Sequence, residues 1–167
     1  MSRRTMIGVM GGAVADEATA AGARELGRLI AANGWVLLSG GRPTGVMQAS
    51  ISGAREAGGL TVGVLFDDNH GDAAEDLDIV IPTGMGAARN VVNVLASDVV
   101  VACRGTGGTL SEIALALRFG RPVVLLDFDP GAAFLDAGAP DCRWTLAATP
   151  EEAAEKVREY LGELGRL

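Results

Sequence analysis

Lysine occurs once in this 167-residue chain, as Lys156, and histidine once, as His70. Each scarcity removes a class of chemistry. A P-loop needs its lysine inside GxxxxGK[ST], and Lys156 stands in no such motif. Ser-His-Asp triads and multi-histidine metal sites have only His70 to build on. Cysteine is limited to Cys103 and Cys142, without CxxC spacing. That usage fits a reducing compartment and argues against structural zinc. Positive charge is also in deficit. A net charge of −7 argues against nucleic acid or an anionic membrane as the main partner. The opening MSRRTMIGVMGG is too short in its apolar run for a signal peptide, and no stretch approaches a transmembrane span. The chain therefore reads as soluble and cytoplasmic.

Glycine and small aliphatic residues are what the chain has in quantity. It holds 24 glycines, and 49% of its residues are hydrophobic against 4% aromatic. That composition suits tightly packed parallel strands with helices on both faces. Strand-length apolar runs fall at 5–10, 35–39, 60–66, 78–81, 98–103, 121–127 and 144–147. Helical segments alternate with them at 15–33, 45–57, 87–96, 108–119, 130–137 and 150–164, with an acidic loop at 67–76. Thr149 and Pro150 form an N-cap and N1 pair for the last helix. The alternation predicts one α/β domain over residues 1–167, a doubly wound parallel sheet of Rossmann-like type. No internal repeat or linker marks a second domain.

In such sheets ligands sit beyond the carboxyl ends of the strands. Those ends are rich in glycine and arginine. The first carries Gly11 and Gly12, which let backbone approach a ligand but lack GxGxxG spacing. The second carries Gly40, Gly41, Arg42 and Thr44 just before a helix, where free amides and the helix dipole favour an anion. The fifth carries the run Arg104-Gly105-Thr106-Gly107-Gly108-Thr109, then Glu112 one helical turn on. Its glycines permit close wrapping of an anion and its threonines offer hydroxyl donors. Thr109 and Glu112 also read as a capping box, with Thr109 as N-cap and Glu112 at N3. Arg89 opens an otherwise apolar helix, with Asn93 one turn on along the same face. Three arginines, Arg42, Arg89 and Arg104, thus gather at one edge of an acidic protein, which points to a phosphorylated ligand. The acids Asp67, Asp68, Asp127 and Asp129 follow the third and sixth strands and can accept hydrogen bonds from ribose or a heterocycle.

Three ordered motifs carry a resemblance. Residues 40–47 (GGRPTGVM), 84–90 (GMGAARN) and 105–117 (GTGGTLSEIALAL) resemble the LOG-like Rossmann superfamily, and within it the molybdenum-cofactor carrier branch. The likeness runs from about Met6 to about Asp127. The carrier branch implies a bound molybdenum cofactor, a pterin bearing a phosphate, and no catalysis. The enzyme branch implies a phosphoribohydrolase that cleaves the N-glycosidic bond of cytokinin riboside or other nucleoside 5′-monophosphates. There Arg89 and Glu112 match catalytic positions, and Gly108 and Thr109 match the motif's Gly-Thr. Two departures from the enzyme motif matter, and the first of them favours the carrier. Arg104-Gly105-Thr106 replaces the enzymes' Pro-Gly-Gly, and Asn90 stands where lysine is usual. A nucleotide sensor without turnover is a third reading. Lysine decarboxylation, once ascribed to such sequences, has no lysine near any loop motif. The apolar run Val91-Val92-Val94-Leu95 exceeds what one sheet face covers, so a homodimer or homotetramer is expected.

Overall fold

Valine, isoleucine and leucine make up most of each predicted strand, and such runs are stable only when buried on both sides. The computed structural model, which describes residues 3–138 and 141–166, shows that burial. Seven strands form one parallel sheet: β1 (Met6–Met10), β2 (Val36–Ser39), β3 (Thr61–Leu65), β4 (Ile79–Pro82), β5 (Val99–Ala102), β6 (Val123–Leu126) and β7 (Trp144–Ala147). Their order is β4-β3-β2-β1-β5-β6-β7. The order reverses between β1 and β5, and the crevice of a doubly wound sheet opens at that reversal.

The helices divide between the two faces as the pleat requires. Helices α1 (Glu17–Ala32), α2 (Gly45–Glu56) and α6 (Pro150–Glu163) pack through Leu26, Ile51 and Val157 onto Val99, Val101 and their neighbours. Helices α3 (Arg89–Ala96), α4 (Gly107–Arg118) and α5 (Ala132–Asp136) pack through Val94, Ile113 and Leu135 onto Val100 and Ala102. Strand β4 is an edge whose Ile79 and Ile81 stay 45% and 42% exposed. By register they share a side with Val62 and Val64, the side that carries α3. At the opposite end of the strands, buried Asp98 accepts from Arg3 and from Met6 N and also pairs with Arg166. This carboxylate ties both ends of the chain to β5.

Several element boundaries differ from expectation. The helix read from residue 87 starts as a 3₁₀ turn at Gly86–Ala88 and becomes α3 at Arg89. The helix read at 130–137 shrinks to α5, because Gly131 takes φ +98° and its amide is bound by Asp129 Oδ1. The helix read at 108–119 begins one residue earlier, with Thr106 as its N-cap. The capping box is thereby overturned. Thr109 already lies within the first turn, and Glu112 lies beyond it.

Candidate ligand-binding site

Four strand ends, β1, β2, β3 and β5, converge on one cavity of about 440 Å³. That size lies within the range of small-molecule sites. The sequence-predicted residues Gly11, Gly12, Gly40, Arg42, Thr44, Arg89, Thr106, Gly108, Thr109 and Glu112 all line it. Their convergence follows from topology, since each stands in the segment just after a strand's carboxyl end or at the helix start beyond it.

The helices facing the cavity differ from those that do not. Asp16 caps α1 by accepting from Thr19 N, and Thr149 caps α6 by accepting from Glu152 N. Thr44 and Thr106 precede α2 and α4 without any side-chain capping bond. In α4 the first helical hydrogen bond runs from Leu110 N to Thr106 O at 3.0 Å, so the amides of Gly107, Gly108 and Thr109 come before it. Unused amides at a helix start attract an anion. In α2 the Val46 amide is taken by Gly12 O at 3.0 Å, which latches the β1–α1 loop onto that helix.

Two arginines set the charge. Arg89 sends Nη1 to Val64 O at 3.0 Å and lies directly over Gly40. A side chain at residue 40 would occupy the guanidinium's place. Burial lowers the Arg89 pKa from its ordinary value, Glu112 opposes that shift, and Arg42 adds to it. Arg42 stacks over Phe66 with its guanidinium carbon 4.5 Å from the ring centre, and it pairs with Asp67 at 3.5 Å and Asp72 at 3.2 Å. Arg89 approaches the same ring at 6.0 Å. Glu112 is only 7% exposed. Burial pushes its carboxyl above the ordinary value, while the Asn93 hydrogen bond and the Arg89 charge pull it back.

Five predicted residues do not line the cavity. Gly41 sits behind the loop at φ +72°, a turn position that suits glycine, with its carbonyl accepting from Ala74 N. Asn93 is fully buried behind Glu112 and donates Nδ2 to Oε1 at 2.9 Å. Gly105 is packed between Thr109 and Gly12. Gly107 is exposed in the first turn of α4. Arg104 turns its carbonyl to Gly12 N at 3.0 Å and lines a separate, open depression with Asp127 and Asp129. Sequence reasoning passed over Phe66, Met10, Met47 and Asn90, which do line the cavity. Phe66 had a usable signal, as a rare aromatic at the end of a predicted strand. Asn90 bonds Ser111 Oγ at 2.9 Å and so braces α3 against α4.

A family model described as the SLOG cluster4 family matches residues 4–154. The chain belongs to that family. Among solved structures, a molybdenum cofactor binding protein from the phototrophic bacterium Rippkaea orientalis is 44% identical, with a TM-score of 0.90 over 96% of this chain and 99% of that one. The molybdenum cofactor carrier protein of Chlamydomonas reinhardtii is 41% identical, with a TM-score of 0.87 over 96% of this chain and 99% of that one. A cytokinin riboside 5′-monophosphate phosphoribohydrolase of Mycobacterium tuberculosis is 34% identical over 113 residues. That match spans 63% of this chain and 60% of the relative, less than two thirds of the relative's length. This SLOG cluster4 chain thus shares its fold with cofactor carriers and part of its sequence with a hydrolase. Among the described residues no helix is long and apolar enough to cross a membrane.

Proposed function

We propose that the cavity binds a phosphorylated small molecule of pterin or nucleotide type, and that its cargo is the molybdenum cofactor. One observation carries the reading. The uncapped first turn of α4 faces the same cavity as Arg42 and Arg89. Backbone amides, a helix dipole and two guanidinium groups together form a donor set for a phosphate. The phosphate is held by the amides of Gly108 and Thr109, the Thr109 hydroxyl, Arg89 and Arg42. The ring system lies along the wall that includes Met10, Met47 and Phe66. Gly11, Gly12, Gly40, Thr44 and Thr106 give backbone or hydroxyl contacts, and Gly41 and Gly105 shape the loops behind them. Arg104 lines a separate depression and stands outside this donor set. Solved proteins of 41–44% identity described as binding or carrying the molybdenum cofactor support this choice of cargo. The test is mass spectrometry of the small molecule that co-purifies with the chain. A phosphorylated pterin is the expected result, and a purine nucleotide alone would displace the carrier reading.

A second reading has its own support. Glu112 lines the cavity one turn from Thr109, where a carboxylate can stabilise an oxocarbenium-like centre or activate water. The phosphoribohydrolase of M. tuberculosis adds to it. A base-release assay on AMP and isopentenyl-AMP separates the two readings, with Glu112→Gln and Arg89→Ala as controls. The carrier reading expects little or no release by the wild type. Robust release that both variants abolish would establish the hydrolase instead.

The same reading includes a cytoplasmic location and self-association into a homodimer or homotetramer. Ile79, Ile81 and Leu95 lie on the α3 side with 45%, 42% and 46% of their surface exposed, which supports burial against a second copy. Light scattering at micromolar concentration tests it, and a monomer would refute it.

A further inference from the structure

Glu112 is the only carboxylate among the described residues that line the cavity, and a carboxylate is a poor neighbour for a phosphate. It has no ion-pair partner among the described residues. Arg89, on α3, spends Nη1 on Val64 O. Arg42, on the loop before α2, is paired with Asp67 and Asp72. From α3 the group in direct contact is the neutral amide of Asn93, at 2.9 Å. On α4 itself the polar side chain one turn back is that of Thr109, which also lines the cavity. Glu112 therefore faces one cation at longer range and one amide at hydrogen-bond distance.

The amide is the informative partner. Asn93 is fully buried, and its Oδ1 has no hydrogen-bond partner. No third group holds the amide in one orientation. Turned one way, it offers N–H to a carboxylate. Rotated by half a turn, it offers Oδ1 to the O–H of a carboxylic acid. Had Oδ1 been engaged elsewhere, the amide would be locked as a donor and would select the ionised acid. Both protonation states of Glu112 are thus hydrogen-bonded at one position without repacking. Burial already works against the ionised form, and a dianion at the start of α4 adds like-charge repulsion.

We propose that the cavity takes up one proton together with its anionic ligand, carried by the Glu112 carboxyl and hydrogen-bonded to Asn93 Oδ1. The proton comes from solvent, adds to a carboxylate oxygen, and returns to solvent when the ligand leaves. No other bond changes. A falling pH then favours retention and a rising pH favours release, which suits a site that must both hold and hand over its cargo. This inference rests on the anion-binding reading above.

The test uses inorganic sulfate, whose charge stays fixed where phosphate titrates. The full chain is labelled with ¹³C-glutamate, and the side-chain carboxyl resonance missing from Glu112→Gln identifies Glu112. Backbone amide signals of Gly107–Thr109 report sulfate occupancy. Saturating sulfate is expected to raise the Glu112 titration midpoint by about one pH unit or more. As pH rises through both midpoints, wild-type sulfate affinity should fall in total by about tenfold for each pH unit by which the midpoint is shifted. Glu112→Gln should bind sulfate without that slope, and the Asn93 side-chain amide signals should titrate with the Glu112 midpoint. If the amides saturate while the Glu112 midpoint stays still, proton uptake is wrong and the anion site stands. If sulfate leaves those amides unchanged at every pH, the anion site falls and proton uptake falls with it.

Discussion

Replacing Gly40 by alanine perturbs Arg89 while leaving that residue itself unchanged. A methyl group there would overlap Arg89 Nη1 and lie 2.8 Å from both Nη2 and Met47 Sδ. The guanidinium is the end of a flexible chain, so it yields before the backbone does. Gly40 has no left-handed φ, so alanine brings no backbone strain. The displaced arginine loses its bond to Val64 O, a charged-donor bond worth about 1.5–3 kcal/mol. Reduced freedom of the unfolded chain returns about 0.4–1 kcal/mol. The expected destabilisation is the difference, about 0.5–2.5 kcal/mol, which leaves the protein folded. Loss of a comparable contact to a bound anion should weaken sulfate binding by about tenfold to a hundredfold. The assay is a sulfate titration read at the amides of Gly107–Thr109. A double-mutant cycle with Arg89→Met supplies the decision. Because the effect runs through Arg89, Gly40→Ala should cost no further affinity once Arg89 is gone. Full additivity of the two losses would refute the reasoning.

Other consequences follow from single contacts. Glu112→Gln should stabilise the protein at pH 8, by thermal unfolding, and the gain should vanish in acid. The folded chain holds the Glu112 proton more tightly than the unfolded chain, so the cost of ionisation appears only as pH rises above the ordinary carboxylate value. A gain independent of pH would contradict that origin. Asp98→Ala should destabilise by about 1–3 kcal/mol in urea, since it strips the acceptor from Met6 N and from Arg3; an unchanged midpoint would show that the clamp is idle. Burial pushes the Cys103 thiol up to about 12. Iodoacetamide at pH 8 should therefore modify half-buried Cys142 and spare Cys103 until the protein unfolds, as read by peptide mass spectrometry. Equal labelling of both in the folded state would overturn it.

The strand-helix alternation, and with it the parallel sheet, was legible in the sequence because runs such as Val99–Ala102 have one stable environment, buried on both faces. The place of the candidate cavity was legible too. Once strands are assigned, chain direction alone puts Gly40, Arg42, Gly108 and Thr109 at the same edge. Arg89 announced itself as a charge opening an apolar helix. What the chain order does not contain is the direction of each side chain around its loop or helix. Arg104 and Thr106 are two residues apart, yet the Gly12–Arg104 hydrogen bond turns one out of the cavity while the other lines it. Asn93 reads as a ligand-facing polar residue, but α3 packs flush on the sheet and leaves it behind Glu112. The start of α4 at Gly107 rather than Gly108 moves Thr109 from cap to first turn and leaves the amides free. Phe66 and Arg42 meet across two loops that are distant in sequence. Composition and periodicity determine which segments pair and which ends they share. Helix phase, loop path and burial arise only when the layers close, because each depends on contacts between segments that are far apart along the chain.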